Sequence, residues 1–283
     1  MGVKAGFPVY WRTFGDGEEP ALLLHCGLAH SGAWARLAAL LADRLTMIAP
    51  DMPGHGHSGD WDPAYDLHDQ ITAIARDCLG QGGHVIGHSF GATVALRLAI
   101  EMPERVCSLT LIEPVLFAAA KESDPMVFQR YLETMQGVNH AMDREDWAEA
   151  ARLFTALWGD GRSWDTLSDK ERRTFAEQVP FVRQTEGHLE DDGAGLLDAG
   201  RLEGIACPVM LLRGAETLPI ISAVHATLQR RIPVAHEHVI GGAGHMAPIT
   251  HPEPVARRIK ALLDAAPPCK TAGGAPFTEA MRR

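Results

Sequence analysis

One pentapeptide constrains this chain more than any other feature: Gly87-His88-Ser89-Phe90-Gly91, set between the apolar run His84–Ile86 and an apolar helical pattern from Ala92 to Met102. In that setting a G-x-S-x-G segment holds the serine in a strained conformation on a sharp strand-to-helix turn, and the glycines are needed because side chains there would meet neighbouring backbone. The strand before the turn and the helix after it must both be buried. The helix from Ala92 carries apolar residues on almost every side, so it is expected to be the most buried helix, packed centrally on a sheet.

The rest of the chain reads as the scaffold for that turn. Short, nearly continuous apolar runs at Ala21–Leu24, Thr46–Ala49, His84–Ile86, Val106–Ile112, Val209–Leu212 and His236–Ile240 alternate with helical patterns at Trp34–Ala42, Leu67–Leu79, Ala92–Met102 and Glu253–Ala265. Strands buried on both faces and separated by helices predict a parallel sheet covered on both sides. An opening hairpin is expected around Phe7–Phe14. Between Val115 and Gly200 the strand-like runs stop, and Met126–Met135, Trp147–Leu157 and Asp169–Val179 read as amphipathic helices. This stretch is too helical to be a loop and is expected to form a cap (115–200) over a core made of 1–114 and 201–265, with a mobile tail at 266–283.

Composition narrows the partners. The 283 residues are 46% hydrophobic, 22% charged and 6% aromatic, which fits a globular chain with a sizeable core. With a net charge of −10, a phosphate-tracking basic surface is not expected, and so neither is nucleic acid. No apolar run reaches the 18 or so residues a membrane helix needs, and the first residues lack an apolar segment of signal-peptide length, so a cytoplasmic protein is expected. The five cysteines (Cys26, Cys78, Cys107, Cys207, Cys269) are odd in number and without a CxxC pair, which predicts reduced thiols. The pairs His55-x-His57 and His236-x-His238 come nearest to metal-ligand spacing but have no third ligand close by, and neither a metal nor a cofactor is expected.

A serine is a weak nucleophile at neutral pH and needs a base. The best candidate is His245, in the glycine-rich loop Gly241-Gly242-Ala243-Gly244-His245-Met246 after the last strand-like run, where an imidazole can reach the C-terminal edge of the sheet. His88 would point away from the turn, and His25, His55 and His57 lie in early loops suited to shaping a site.

Taken with Leu24-His25-Cys26-Gly27 and Trp34 downstream, Ala49-Pro50-Asp51-Met52-Pro53-Gly54-His55-Gly56-His57-Ser58, Pro103-Glu104-Arg105-Val106 and Gly244-His245, the turn at Ser89 resembles the α/β-hydrolase family, over about Leu22–Leu263. The resemblance implies an eight-stranded, mostly parallel sheet, a lid inserted after the sixth strand, a Ser-acid-His triad in that order, and an oxyanion hole of two backbone amides. One amide is that of Phe90. By the resemblance the other falls on Gly27, with Leu28 as the alternative. It also gives the Asp51–Ser58 turn a structural role.

The acid departs from the pattern. The usual slot, three residues after the glycine that ends the seventh strand, is Thr217 in Arg213-Gly214-Ala215-Glu216-Thr217. Glu216 and Glu113 are the replacements. Glu113 is preferred, because it leaves a continuous apolar strand and is followed by the stiffening Pro114, whereas Glu216 would need a shifted turn. The expected function is a serine hydrolase that cleaves a small carboxylic ester, thioester or lactone with an apolar portion through an acyl-enzyme on Ser89. Carbon–carbon hydrolysis of a vinylogous diketone on the same triad, and a non-catalytic binding protein on the same fold, are the alternatives. The sequence leaves the number of assembled copies open.

Overall fold

The computed structural model describes residues 1–266 and residue 269. The expected tail, Ala266 and Cys269 apart, lies outside the described residues.

The chain opens with β1 (Gly2–Lys4) and β2 (Phe7–Val9), which pair only with each other across Ala5 and Gly6. Both turn residues have positive φ (50° and 88°), the conformation that closes a two-residue hairpin. The hairpin thus lies earlier than the expected Phe7–Phe14. The backbone of β2 and of the residue after it bonds to the loop that follows Asp51, with Pro8 accepting from the Gly59 amide and the Tyr10 amide donating to Ser58 Oγ. Only β3 (Trp11–Phe14) joins the main sheet, as its one antiparallel strand.

That sheet has seven strands in the order β3-β5-β4-β6-β7-β8-β9, not the eight the resemblance implied, because the hairpin remains separate. Its parallel members are β4 (Glu19–Leu24), β5 (Leu45–Pro50), β6 (Gly83–His88), β7 (Val106–Ile112), β8 (Val209–Gly214) and β9 (Ala235–Ile240). Side chains alternate between its faces. In β4, Leu22 and Leu24 point into one apolar core and Ala21 and Leu23 into another. The second core packs against α1 (Ala35–Leu41) and α11 (Pro252–Ala265), and the first against α2 (Leu67–Leu79), α3 (Phe90–Glu101) and α9 (Pro219–Arg231). Helix α3 is buried along nearly all its length, as its unbroken apolar composition requires.

Between β7 and β8 there is no strand. The chain forms α4 (Ala120–Ser123), α5 (Pro125–Asp143), α6 (Trp147–Trp158), α7 (Asp169–Gln178) and α8 (Pro180–Glu190). Local chemistry sets their starts. Asp124 and Asp146 accept from backbone amides at the N-termini of α5 and α6, and Ser168 and Glu171 form a reciprocal capping box on α7. A short α10 (Ala247–Thr250) follows His245.

The cysteine expectation is corrected. Cys107, near the start of β7, is disulfide-bonded to Cys269 (Cα–Cα 5.4 Å), which leaves Cys26, Cys78 and Cys207 free. The partners are 162 residues apart and meet only because α11 returns the chain to the foot of the sheet, so no spacing rule reveals them. No helix among the described residues is long and apolar enough to cross a membrane.

Candidate active site

The C-terminal ends of five adjacent strands converge on one place, the usual position of a site in an open parallel sheet. β4 leads into His25-Cys26-Gly27, β6 into Ser89, β7 into Glu113, β8 into Thr217, and β9 into the loop of His245. The glycines around Ser89 have a visible cause. A Cβ on Gly91 would run into the carbonyl oxygens of Leu24 and His25, and one on Gly87 into the backbone of Gly91 and Ala92. Ser89 itself has φ 57° and ψ −119°, a strained region for any residue but glycine. Its amide is fixed to the Ile112 carbonyl at 2.8 Å.

The structure brings Ser89, His245 and Glu113 into one hydrogen-bonded line. Ser89 Oγ donates to His245 Nε2 (2.9 Å), and His245 Nδ1 donates to Glu113 Oε2 (3.0 Å). Glu113 is fully buried and also has positive φ (52°). Its carboxylate accepts from the Gly214 amide (2.6 Å) and from the Thr217 hydroxyl. Position 217, the usual slot of the acid, therefore supplies a donor to the Glu113 carboxylate. Glu216 is exposed, and it touches the site only through its backbone amide, bonded to Ala243.

Gly27 and Phe90 line the same cavity as Ser89, and neither amide has a protein acceptor among the described residues. The Leu28 amide is already committed to His55 Nε2 at 3.1 Å. His55 donates its other nitrogen to the Pro53 carbonyl (2.9 Å), while His25 donates Nδ1 to Cys26 O (2.7 Å) and accepts from the Met52 amide (2.9 Å). Both rings thus have fixed neutral tautomers. Burial drives the pKa of His25 down to about 3 and that of His55 to about 4. His88 lies on the other side of the turn and donates to the His245 carbonyl (2.9 Å), a backbone strut for the loop. Burial lowers it to about 3. Asp51 binds the amides of Ser31 (2.6 Å) and His57 (2.9 Å), which accounts for the tight turn after β5.

A cavity of about 70 Å³, partly open to solvent, leads from Ser89 beneath α5, α6 and α8. Sequence reasoning missed two of its determinants. The Phe181 ring lies edge-on to Phe90 (centroids 4.9 Å) and to His55 (4.7 Å), and close enough to Gly27 that a Cβ there would come within 3.1 Å of it. Trp158 lies edge-on to His245 at 4.7 Å. Both are aromatics of the helical segment. Which aromatics of that segment reach the strand ends was not legible in the sequence.

An open parallel sheet with a serine on a strained turn, backed by histidine and carboxylate, defines the class of this protein. Residues 21–258 match the model of the alpha/beta hydrolase family, and the chain belongs to that family. Over 253 residues (86% of this chain, 63% of the relative) it is 36% identical to a dihydrolipoyllysine-residue acetyltransferase component of an acetoin cleaving system from Cupriavidus necator. It is 27% identical to a pimeloyl-[acyl-carrier protein] methyl ester esterase from Nitrosomonas europaea, covering 87% of this chain and 95% of that one. An alpha/beta hydrolase from Sphaerobacter thermophilus has the same fold, with a TM-score of 0.66 at 19% identity, covering 91% of this chain and 97% of that one.

Proposed function

We propose that this chain is a serine hydrolase that cleaves a carboxylic ester through an acyl-enzyme on Ser89, beneath a cap formed by residues 115–200. The observation that carries this reading is the continuous line from Ser89 Oγ through His245 to the buried Glu113. The esterase names among its relatives support the substrate class.

In this mechanism His245 Nε2 takes the Ser89 proton as Oγ attacks the ester carbonyl, and the Gly27 and Phe90 amides receive the oxyanion. His245 then gives that proton to the departing alcohol. Water repeats the sequence in reverse roles: His245 removes its proton, the hydroxide attacks the acyl-enzyme, and Ser89 leaves with the proton as the carboxylic acid is released. Glu113 keeps Nδ1–H in place, so that Nε2 is free to accept, and it stabilises the imidazolium that forms. Thr217 and the Gly214 amide keep Glu113 oriented.

Ser89→Ala tests the proposal. Turnover of a small aryl ester is expected to fall by at least about a thousandfold, since losses of triad members are of that order or larger. A variant that keeps most of its turnover overturns it.

A further inference from the structure

The lining of the cavity beside Ser89 is largely apolar, with a polar stretch on its helical side. There Tyr131 of α5 donates its hydroxyl to Glu190 Oε1 of α8 at 3.0 Å, and Glu186, one helical turn earlier, lines the same space. Aromatic side chains connect this stretch to the serine. Trp158, edge-on to His245, stands 6.4 Å from Tyr131, which also packs on Phe117 at 4.3 Å and Phe128 at 6.2 Å. No lysine or arginine is among the described residues that line the cavity.

The nearest cations are engaged outside it. Arg183 reaches Glu186 at only 3.7 Å and binds Asp143 at 2.6 Å, and Lys121 is paired with Asp191 at 3.0 Å. Burial pushes the Glu190 carboxyl above its usual pKa; the Tyr131 hydroxyl and the charge of Lys121 oppose that, while Glu186 and Asp191 reinforce it. A cation arriving here would relieve this strain. It would find charge-assisted acceptors at one end and aromatic faces along its path. A carboxylate would add a third negative charge to two already crowded ones.

Resting on the ester-hydrolase reading above, we propose that the cavity selects an ester whose far end carries an ammonium group, received by Glu186 and Glu190 beside Tyr131, and that it rejects one ending in a carboxylate. The test uses three esters of equal length ending in ammonium, methyl or carboxylate, with the end group presented once on the acyl side and once on the alcohol side. In one presentation the ammonium ester is expected to exceed the carboxylate ester in kcat/KM by about tenfold or more, as a charged contact of this kind discriminates. In the Glu186→Gln/Glu190→Gln variant, shown by circular dichroism to be folded, that ratio is expected to shrink to within about threefold. Ratios near one or inverted in both presentations overturn the proposal, as does a preference that persists in the double variant. If the methyl-ended esters too are left intact, the ester-hydrolase reading itself has failed and this proposal falls with it, a result distinct from turnover without discrimination.

Discussion

Across the cavity from Ser89, the wall made by α5, α6 and α8 faces the strand ends that carry Glu113 and His245, and the two walls are held by different means. On the strand side the polar atoms have fixed partners in a buried network. Glu113 is held by three donors, and both Ser89 and Glu113 keep backbone angles that only a packed surround can maintain. The helical wall rests on aromatic contacts, on the Tyr131–Glu190 pair and on exposed ion pairs such as Arg183–Asp143. Exposed pairs contribute about 1 kcal/mol or less each. Changes on the strand side should therefore damage the chemistry for every substrate, whereas changes on the helical side should alter which substrates are preferred. Phe181, on α8 but seated against Gly27 and Phe90, is where the two walls meet.

The largest effect should come from the strand side. Glu113→Gln is expected to lower turnover of one ester at saturating substrate by roughly a hundredfold to ten-thousandfold, in keeping with the loss of an orienting acid, and Glu216→Gln by less than about tenfold. The reverse ranking would place the acid at Glu216. Two near-neutral variants would mean that Ser89 and His245 work as a dyad.

Protonation should break the same wall. Burial depresses the pKa of His25 to about 3 and of His55 to about 4, so below about 6.5 the unfolded chain binds protons at these residues that the folded chain does not. Their stabilising contribution is complete above pH 6.5 and is lost as the pH falls toward 4, at up to about 1.4 kcal/mol per pH unit for each ring. Urea midpoints measured between pH 7 and pH 4.5 should fall accordingly. A midpoint independent of pH across that window would show that these rings are not buried in neutral form.

The smallest effect should arise at the junction. Phe181→Ala is expected to lower kcat by about tenfold with less change in KM, because the ring keeps the loop of Gly27 and the start of α3 in register rather than gripping substrate alone. Phe181→Leu should recover part of that loss. A pure KM effect would assign Phe181 to the helical wall.

The strand wall was the legible one. Ser89 and Glu113 each follow directly on a continuous apolar strand, and His245 lies in the glycine-rich loop after another, so each side chain's place follows from its own neighbourhood in the sequence. The sheet and the strand-free stretch after Ile112 were readable for the same reason, that alternation and its interruption are local patterns. What was not readable depends on distance along the chain. Thr217 meets Glu113 over 104 positions, Tyr131 meets Glu190 over 59, and Cys107 meets Cys269 over 162. The hairpin was displaced because Ala5 and Gly6, rather than a later turn, take the positive φ angles. Leu28 gave no sign in the sequence that its amide is committed to His55.

Reaction with a fluorophosphonate, followed by intact mass and peptide mapping, tests most directly whether the strand wall activates Ser89. The account predicts a single adduct per chain, located on the peptide that contains Ser89, with labelling greatly slowed in Glu113→Gln and absent in Ser89→Ala. An adduct on a different serine, or none on the native chain, would contradict it.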